Sequence, residues 1–426
     1  MSLTSWEDFH AALLPDAYTP DAGPGAEVWQ GAQLRIHDTQ SPMPPPPFTL
    51  TSAQTATLDS WFAAGAPKTD GATCGGGGED GGPGAGGDSS VAQPDAATPL
   101  VACNASQTPA TLAPTSAWTM PQTDTDDYVC YSVTIPPTVS GATDHVLAIS
   151  PNIMNHKIVH HVLLFQADPT DTSITTTPTK CNPGGSLGWR VVYAWAPGGG
   201  AMQTPANVGF PYDATTKWVV QVHYNNINGL SGETDMSGFS LCTTDQPVQY
   251  DADVVAFGNM DFQIPPLSTY DSTCAYTIDS KLAGVHAFAA FPHMHTLGQA
   301  IQTEQTLADG GLVGMTESIP WNFNTQIWFP IDTVLNAGDV VTTRCAWQNS
   351  TTNMVPFGQD TEQEMCYSFT AYYPKVTTGG WSWALPAEAS SPTTCQTSTD
   401  GGLPLLPTPS GGWAAGTFDD AGAGSN

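Results

Sequence analysis

An all-β fold, two β-sandwiches in tandem behind a small helical segment and a linker, follows from three features of the sequence. Glycine (42 residues) and proline (37 residues) punctuate a chain of 426 residues, and only 11% of residues are charged. Between the turn-formers lie short runs such as YVCYSVTI, HHVLLF, KWVVQVHY, HAFAAF and VVTTRCAW, rich in β-branched and aromatic side chains. Runs of this kind, bounded by Gly, Pro, Asn, Asp and Ser, read as strands and not as helices. The length exceeds one average domain, so more than one is expected.

The elements fall in a simple order. Residues 1–70 form one unit, in which LTSAQTATLDSWFAAGAP reads as a helix capped by Thr51 or Ser52. Residues 71–97 are a Gly-rich acidic linker, expected to be disordered. Strand-like runs fill residues 98–396, and FGNMDFQIPPLSTY marks a boundary where IPP breaks the pattern near Ile264. The two parts, 98–262 and 263–396, hold roughly 160 and 130 residues, each enough for a β-sandwich. From 397 to 426 the chain is mostly Gly, Pro, Ser and Asp, and a disordered tail is expected.

Charge and cysteine usage exclude several classes of function. Lys and Arg number 9 and Asp and Glu 39, a net charge of −30. A nucleic-acid partner is disfavoured because phosphates would be repelled. No apolar run reaches the ~18–20 residues of a membrane helix, so no membrane insertion is expected. The nine cysteines include no CxxC pair, which argues against a zinc ribbon or a redox dithiol. Scattered through an acidic, lysine-poor β protein, they point to disulfides and to an oxidising compartment, secreted or periplasmic, with one thiol left over. The start, MSLTSWEDFHAALL, lacks the basic and apolar regions of a signal peptide, so an upstream segment is expected to direct export.

Five of the ten histidines lie in three compact motifs: HHVLLF with His160 and His161, QVHY with His223, and HMH with His293 and His295. Residues i and i+2 of a strand share a face, so His293 and His295 can address one ion with little distortion. Adjacent histidines face opposite ways. His160 and His161 can share an ion only if the strand twists, bulges or ends there. Any one motif alone would be read as structural, and together they point to metal. Imidazole suits zinc, copper, nickel and iron, whereas a thioether selects copper. Met365, beside Cys366 in TEQEMCYSF, is by pattern an ordinary core methionine.

These residues and their neighbours resemble the copper type II, ascorbate-dependent monooxygenases, the dopamine β-monooxygenase and peptidylglycine α-hydroxylating monooxygenase family. The resemblance rests on TDDYVCY, IVHHVLLFQ, VVQVHYNN, DMSGFSL, GVHAFAAFPHMHTLG, AGDVVTTRCAW and EMCYSFTAYYP, which keep their order from about Cys103 to Cys395. HYNN, DMSG and EMC…YYP are closer to the dopamine β-monooxygenase branch. The resemblance implies two jelly-roll-like sandwiches with one copper each, facing each other across an open solvent cleft. His160, His161 and His223 would hold an electron-transfer copper, and His293, His295 and Met365 an oxygen-binding copper. Gln221 matches a position proposed to help relay the electron. Ascorbate or another one-electron donor would act as cosubstrate with O2 and a small-molecule substrate. The resemblance pairs Cys130 with Cys181, Cys274 with Cys395 and Cys345 with Cys366, leaves Cys103 and Cys242 as a fourth bridge, and leaves Cys74 odd. The Cys345–Cys366 bridge would fix the strand that carries Met365. His286 is read as structural.

Three departures bear on substrate. The peptide-amidating branch has an Arg two residues before HxH, an Asn two after the ligand Met and a Tyr four after it. Here these positions hold Phe291, Tyr367 and Phe369, which argues against peptide carboxylates and for an apolar pocket wall and an aromatic or apolar substrate. The stretch RIHDTQSPMPPPPFTLTSAQTATLDSWFAAGAP resembles the C-terminal part of a c-type cytochrome, with Met43 in the axial position. No CxxCH is present, so no haem is expected in this chain, although a cytochrome placed upstream would supply electrons. Two competing readings are a catalytically inactive copper-binding jelly-roll protein and a zinc hydrolase. Six filled ligand positions count against the first, and the absence of a carboxylate base in the HH and HxH motifs counts against the second.

Overall fold

The computed structural model describes residues 27–37, 52–63, 66, 101–183, 185–186, 189–226, 229–376, 392–399 and 402–414. The expected linker at 71–97, with Cys74, and the Met43 segment lie outside the described residues. The chain divides into two compact units, Met1–Val91 and Ala92–Asn426. In the first, the helices Val28–Arg35 and Ser52–Ala63 meet around Phe62, Ala32 and Ala66. Glu27 and Gln30 form a reciprocal capping box at the start of the first helix, with Glu27 N donating to Gln30 Oε1 at 2.8 Å. The second helix starts at Ser52, and Thr51, the residue before it and one of the two expected caps, lies outside the described residues.

The second unit is all-β, as expected. Its first sandwich packs a sheet ordered Thr108–Leu112, Gly238–Thr244, Asp144–Asn152, Val208–Tyr212, Tyr250–Asp251 against one ordered Thr179–Lys180, Asp126–Val133, Lys217–Asn225, Val159–Ala167, Trp189–Trp195. Alternation along Lys217–Asn225 shows how the sequence writes this. Trp218, Val220, Val222 and Tyr224 enter the main core, while Val219, Gln221 and His223 take the opposite face. Burying a side chain the size of Trp218 or Phe239 contributes about 2–3 kcal/mol.

The second sandwich packs the sheet Asp253–Gly258, Tyr367–Tyr373, Val285–His293, Phe329–Leu335 against Leu312–Ser318, Gly298–Thr306, Val340–Asn349, Ser268–Thr277, Thr394–Ser398. Asp253–Gly258 pairs along its whole length with Tyr367–Tyr373. The sequence boundary at 262/263 therefore falls late, because IPP ends the short strand Gln263–Ile264, which pairs with Val355–Pro356 inside the second sandwich, and Asp253–Gly258 already belongs to that sandwich. All four expected bridges among the described cysteines are formed: Cys103–Cys242, Cys130–Cys181, Cys274–Cys395 and Cys345–Cys366.

The expected disordered tail is corrected in part. Thr394–Ser398 is an edge strand, and residues 402–414 run over the outer face of the second sandwich. Arg344 Nη2 donates to Leu403 O at 3.2 Å, and Leu406 N donates to Gln302 Oε1 at 3.0 Å. Composition suggested disorder, but this segment borrows its hydrogen bonds from the sheet. A Cβ on Gly314 would lie 2.6 Å from Gly412 O, so only glycine lets the segment lie this close.

Glu304 is the cross-strand partner of Gly314 and is 4% exposed, with Oε2 unpartnered among the described residues. Burial raises its carboxyl to about 7. The fold thus keeps a proton that the unfolded chain releases from about 4.5 upward, and stability falls as pH rises from about 4.5 through 7. Glu304→Gln should remove this slope and stabilise the protein by about 2–3 kcal/mol at pH 8, with little change at pH 4.5. Urea unfolding at the two pH values measures the difference, and an equal gain at both would refute the assignment.

Candidate metal centre

The HH motif works because the strand bulges. In the pairing of Val159–Ala167 with Lys217–Asn225, His223 faces His161 and Tyr224 faces Val159, so His160 is the extra residue. The bulge turns His160 onto the face that already carries His161 and His223. His160 Nδ1 lies 3.2 Å from His161 Nδ1, which lies 3.3 Å from His223 Nδ1, and one ligand atom from each ring falls within 4.8 Å of the others. Metal–nitrogen bonds of about 2.0–2.1 Å at a tetrahedral angle would set nitrogens about 3.3 Å apart, so the three rings fit a first-row ion.

The opposite nitrogens are held by oxygens. Asp126 Oδ1 meets His223 Nε2, and Asn324 Oδ1 meets His160 Nε2 at 3.1 Å. An acceptor on Nε2 puts the proton there and leaves Nδ1 with a lone pair. Tyr128 stacks flat on His223 with ring centroids 4.2 Å apart, which fixes the plane of that ring.

The second set shows the reverse polarity. His293 closes the strand Val285–His293, and His295 follows it with Met294 turned into the core. His293 Nδ1 bonds to Gln326 Oε1 at 2.8 Å, and His295 Nδ1 bonds to Gln363 O at 2.9 Å. Both rings therefore present Nε2. The carboxylate of Glu364 ties this region together. It accepts from His295 N at 2.9 Å, Leu297 N at 2.6 Å, Trp347 Nε1 at 3.0 Å and Met365 N at 3.2 Å. One buried carboxylate thus fixes the backbone of His295 and of Met365, and the Cys345–Cys366 bridge holds the same segment from the next residue.

Burial keeps these imidazoles neutral. It lowers His160 to about 4, aided by His223, lowers His293 to about 4, and lowers His295 to about 3 with help from His293. His161 is lowered well below the usual range by burial and by His223 and His160. Near neutral pH, the lone pairs are available to an ion without loss of a proton. A thioether beside two imidazoles favours copper over zinc.

The second set and His161 of the first meet at one cavity between the facing sheets. His161, His293, His295 and Met365 line it together with Leu163, Phe165, Trp195, Phe291, Trp328 and Phe369. The expected open solvent cleft is thus corrected. The two sandwiches share a continuous apolar core, Tyr193 stacks on Trp328, Trp328 Nε1 donates to Ala194 O at 2.9 Å, and Tyr128 and Thr361 hydroxyls meet at 2.7 Å. Apolar side chains on both facing sheets close the gap because water between them would be costly.

Of the expected wall residues, Phe291 and Phe369 line the cavity. Tyr367 lies one layer behind, its ring packed between Phe357 and Phe369. Gln221 shares the face of His223, but its amide donates to Asn182 O at 2.8 Å and meets the Cys130 and Cys181 sulfurs. His286 stacks on Tyr373, away from both sets. Sequence reading missed Asp126, Tyr128, Phe323, Asn324, Gln326, Trp328 and Glu364. Asp126, Tyr128 and Glu364 sit inside motifs already singled out, whereas nothing local marks Asn324 or Gln326.

Comparison with known proteins gives the family of both sandwiches. Residues 114–231 match the copper type II ascorbate-dependent monooxygenase N-terminal domain, and residues 250–391 match the C-terminal domain. DBH-like monooxygenase protein 2 of Mus musculus is 27% identical over 285 residues, covering 61% of this chain and 45% of that protein. DBH-like monooxygenase protein 1 of Gallus gallus is 28% identical over 285 residues, covering 60% and 46%. Tyramine beta-hydroxylase of Caenorhabditis briggsae is 28% identical over 271 residues, covering 58% and 45%. The chain spans about half the length of the curated relatives it matches. With both domain types matched in order over more than half of its length, this chain belongs to the copper type II ascorbate-dependent monooxygenase family.

Proposed function

We propose that this protein hydroxylates a C–H bond of a small, neutral, apolar or aromatic substrate with O2, using two coppers and an external one-electron donor. One observation carries the reading: a cluster of three imidazoles reaches, through His161, the same apolar cavity that His293, His295 and the thioether of Met365 line. His160, His161 and His223 hold the electron-transfer copper, and His293, His295 and Met365 the oxygen-binding copper. Bound copper supplies one-electron redox chemistry and a place for O2. The reaction balances as C–H plus O2 plus two electrons and two protons giving C–OH and water, with ascorbate or a similar small donor delivering the electrons. A cytochrome donor has no support from the first unit, whose sequence lacks CxxCH. Phe291, Phe369 and Trp328 exclude water and hold an apolar group beside the softer set. Four disulfides fit an oxidising compartment, and we place the protein outside the cytoplasm, secreted or periplasmic.

Two coppers per chain, oxygen uptake with ascorbate, and one atom of labelled oxygen in the product are expected. Two coppers without uptake would identify an inactive copper-binding protein instead. Substrate charge gives a sharper test. The cavity lining contains no Asp, Glu, Lys or Arg among the described residues. An ammonium would enter it unpaired, at a cost above the roughly 1.4 kcal/mol that makes a factor of ten. 4-Ethylphenol should therefore exceed tyramine by at least about tenfold in kcat/KM. Equal or reversed preference would remove the neutral-substrate assignment.

A further inference from the structure

The two histidine sets come from different sandwiches, yet one loop touches both. Between the strands Leu312–Ser318 and Phe329–Leu335 the chain leaves the second sandwich and crosses to the first. Trp321 Nε1 donates to His295 O at 3.0 Å, which anchors the start of the loop. Thr325 N donates to Asn322 O at 3.1 Å and closes a turn. The turn lands on Gly198 and Gly199 of the first sandwich. A Cβ on Gly198 would lie 2.8 Å from Thr325 Cγ2, and one on Gly199 would lie 3.4 Å from Gln326 O.

This landing brings Asn324 Oδ1 to His160 Nε2 at 3.1 Å and sets the Phe323 ring 4.7 Å from His160 and 6.2 Å from His295. Two residues on, Gln326 Oε1 meets His293 Nδ1 at 2.8 Å, and its Nε2 donates to Phe323 O at 2.8 Å. The loop therefore fixes its own amide orientation. His160 is the unpaired residue of a bulge, so strand pairing does not set its ring.

We infer that Phe323–Gln326 is a shared positioning element: Asn324 sets the ring and tautomer of His160 across the sandwich boundary, and Gln326 sets His293. The site of His160, His161 and His223 is then complete only while the sandwiches are docked. The inference rests on the ligand sets proposed above. Asn324 accepts a hydrogen bond, so it selects the Nε2–H form of His160 and frees Nδ1.

The test uses the full chain. In the metal-free protein, nitrogen-correlated NMR should show His160 as the Nε2–H tautomer. Asn324→Leu should convert it to a mixture, and Asn324→Asp, which keeps the acceptor, should restore it. In Cu(II) titrations against a chromophoric chelator, Asn324→Leu should weaken the site of His160, His161 and His223 by about 10–100-fold and change its EPR spectrum, leaving the other site within about threefold of wild type. Gln326→Leu should do the reverse. An unchanged tautomer and spectrum in Asn324→Leu would overturn the inference, as would equal weakening of both sites without rescue by Asn324→Asp. An Asn324-dependent tautomer in a protein that binds no copper at these histidines would support the positioning role and overturn the ligand assignment instead.

Discussion

Replacing Glu364 with leucine is expected to cost about 4 kcal/mol of stability and to release copper from the His293, His295 and Met365 site alone. Glu364 is fully buried and accepts from three backbone amides and the Trp347 indole. Leucine matches its bulk but leaves four donors without a partner. Each stranded buried donor costs about 1–3 kcal/mol, and local relaxation recovers part of the total. The amides of His295, Leu297 and Met365 belong to the two segments that carry the site, so their release moves ligands directly. Glu364→Gln keeps one oxygen, which can serve His295 N, Met365 N and the indole while its amide opposes Leu297 N. It should cost less, about 1–3 kcal/mol. Urea unfolding of the metal-free protein and copper counts after dialysis measure the two effects. A Glu364→Leu protein that is as stable as wild type and keeps two coppers would show that the carboxylate is incidental.

His161→Ala should have the largest effect on turnover. His161 Nδ1 lies at the centre of the first set, within 3.2 and 3.3 Å of the other two Nδ1 atoms. Zinc sites with four ligands bind with about 10–16 kcal/mol, so one ligand accounts for roughly 3–4 kcal/mol and its loss lowers affinity on the order of 10²–10³-fold. The second site keeps all its ligands and should keep its copper. In the proposed reaction hydroxylation needs two electrons, and the variant would lose the centre proposed to supply one of them. Oxygen uptake should fall below detection while one copper per chain remains. Retention of two coppers with wild-type uptake would remove His161 from the ligand set.

The two variants also show how far local sequence reaches. The need for a twist, a bulge or a strand end at His160 is legible because adjacent strand residues face opposite ways, and the structure has the bulge. HMH is legible for the same reason. The dependence of Met365 on Glu364 is half legible, since the carboxylate is its neighbour in the chain but its four donors come from several segments. The tail over the second sandwich was misread because composition reports average solvation and does not show hydrogen bonds offered by a distant sheet.

By itself the sequence determined the all-β class and the compact histidine motifs, because strand alternation is a property of a few adjacent residues, while the resemblance in motif order implied the family, the thioether beside the second histidine pair and the cysteine pairs. The tertiary structure alone decided which ring nitrogens are held by oxygens and which are left to a ligand, that the cleft is closed by apolar packing, and that Asn324 serves His160 from 164 residues away. Those outcomes depend on how two facing sheets dock, and docking is set by the summed burial of side chains from both sandwiches. The histidine motifs supply the donors, and the docked sheets give them their direction.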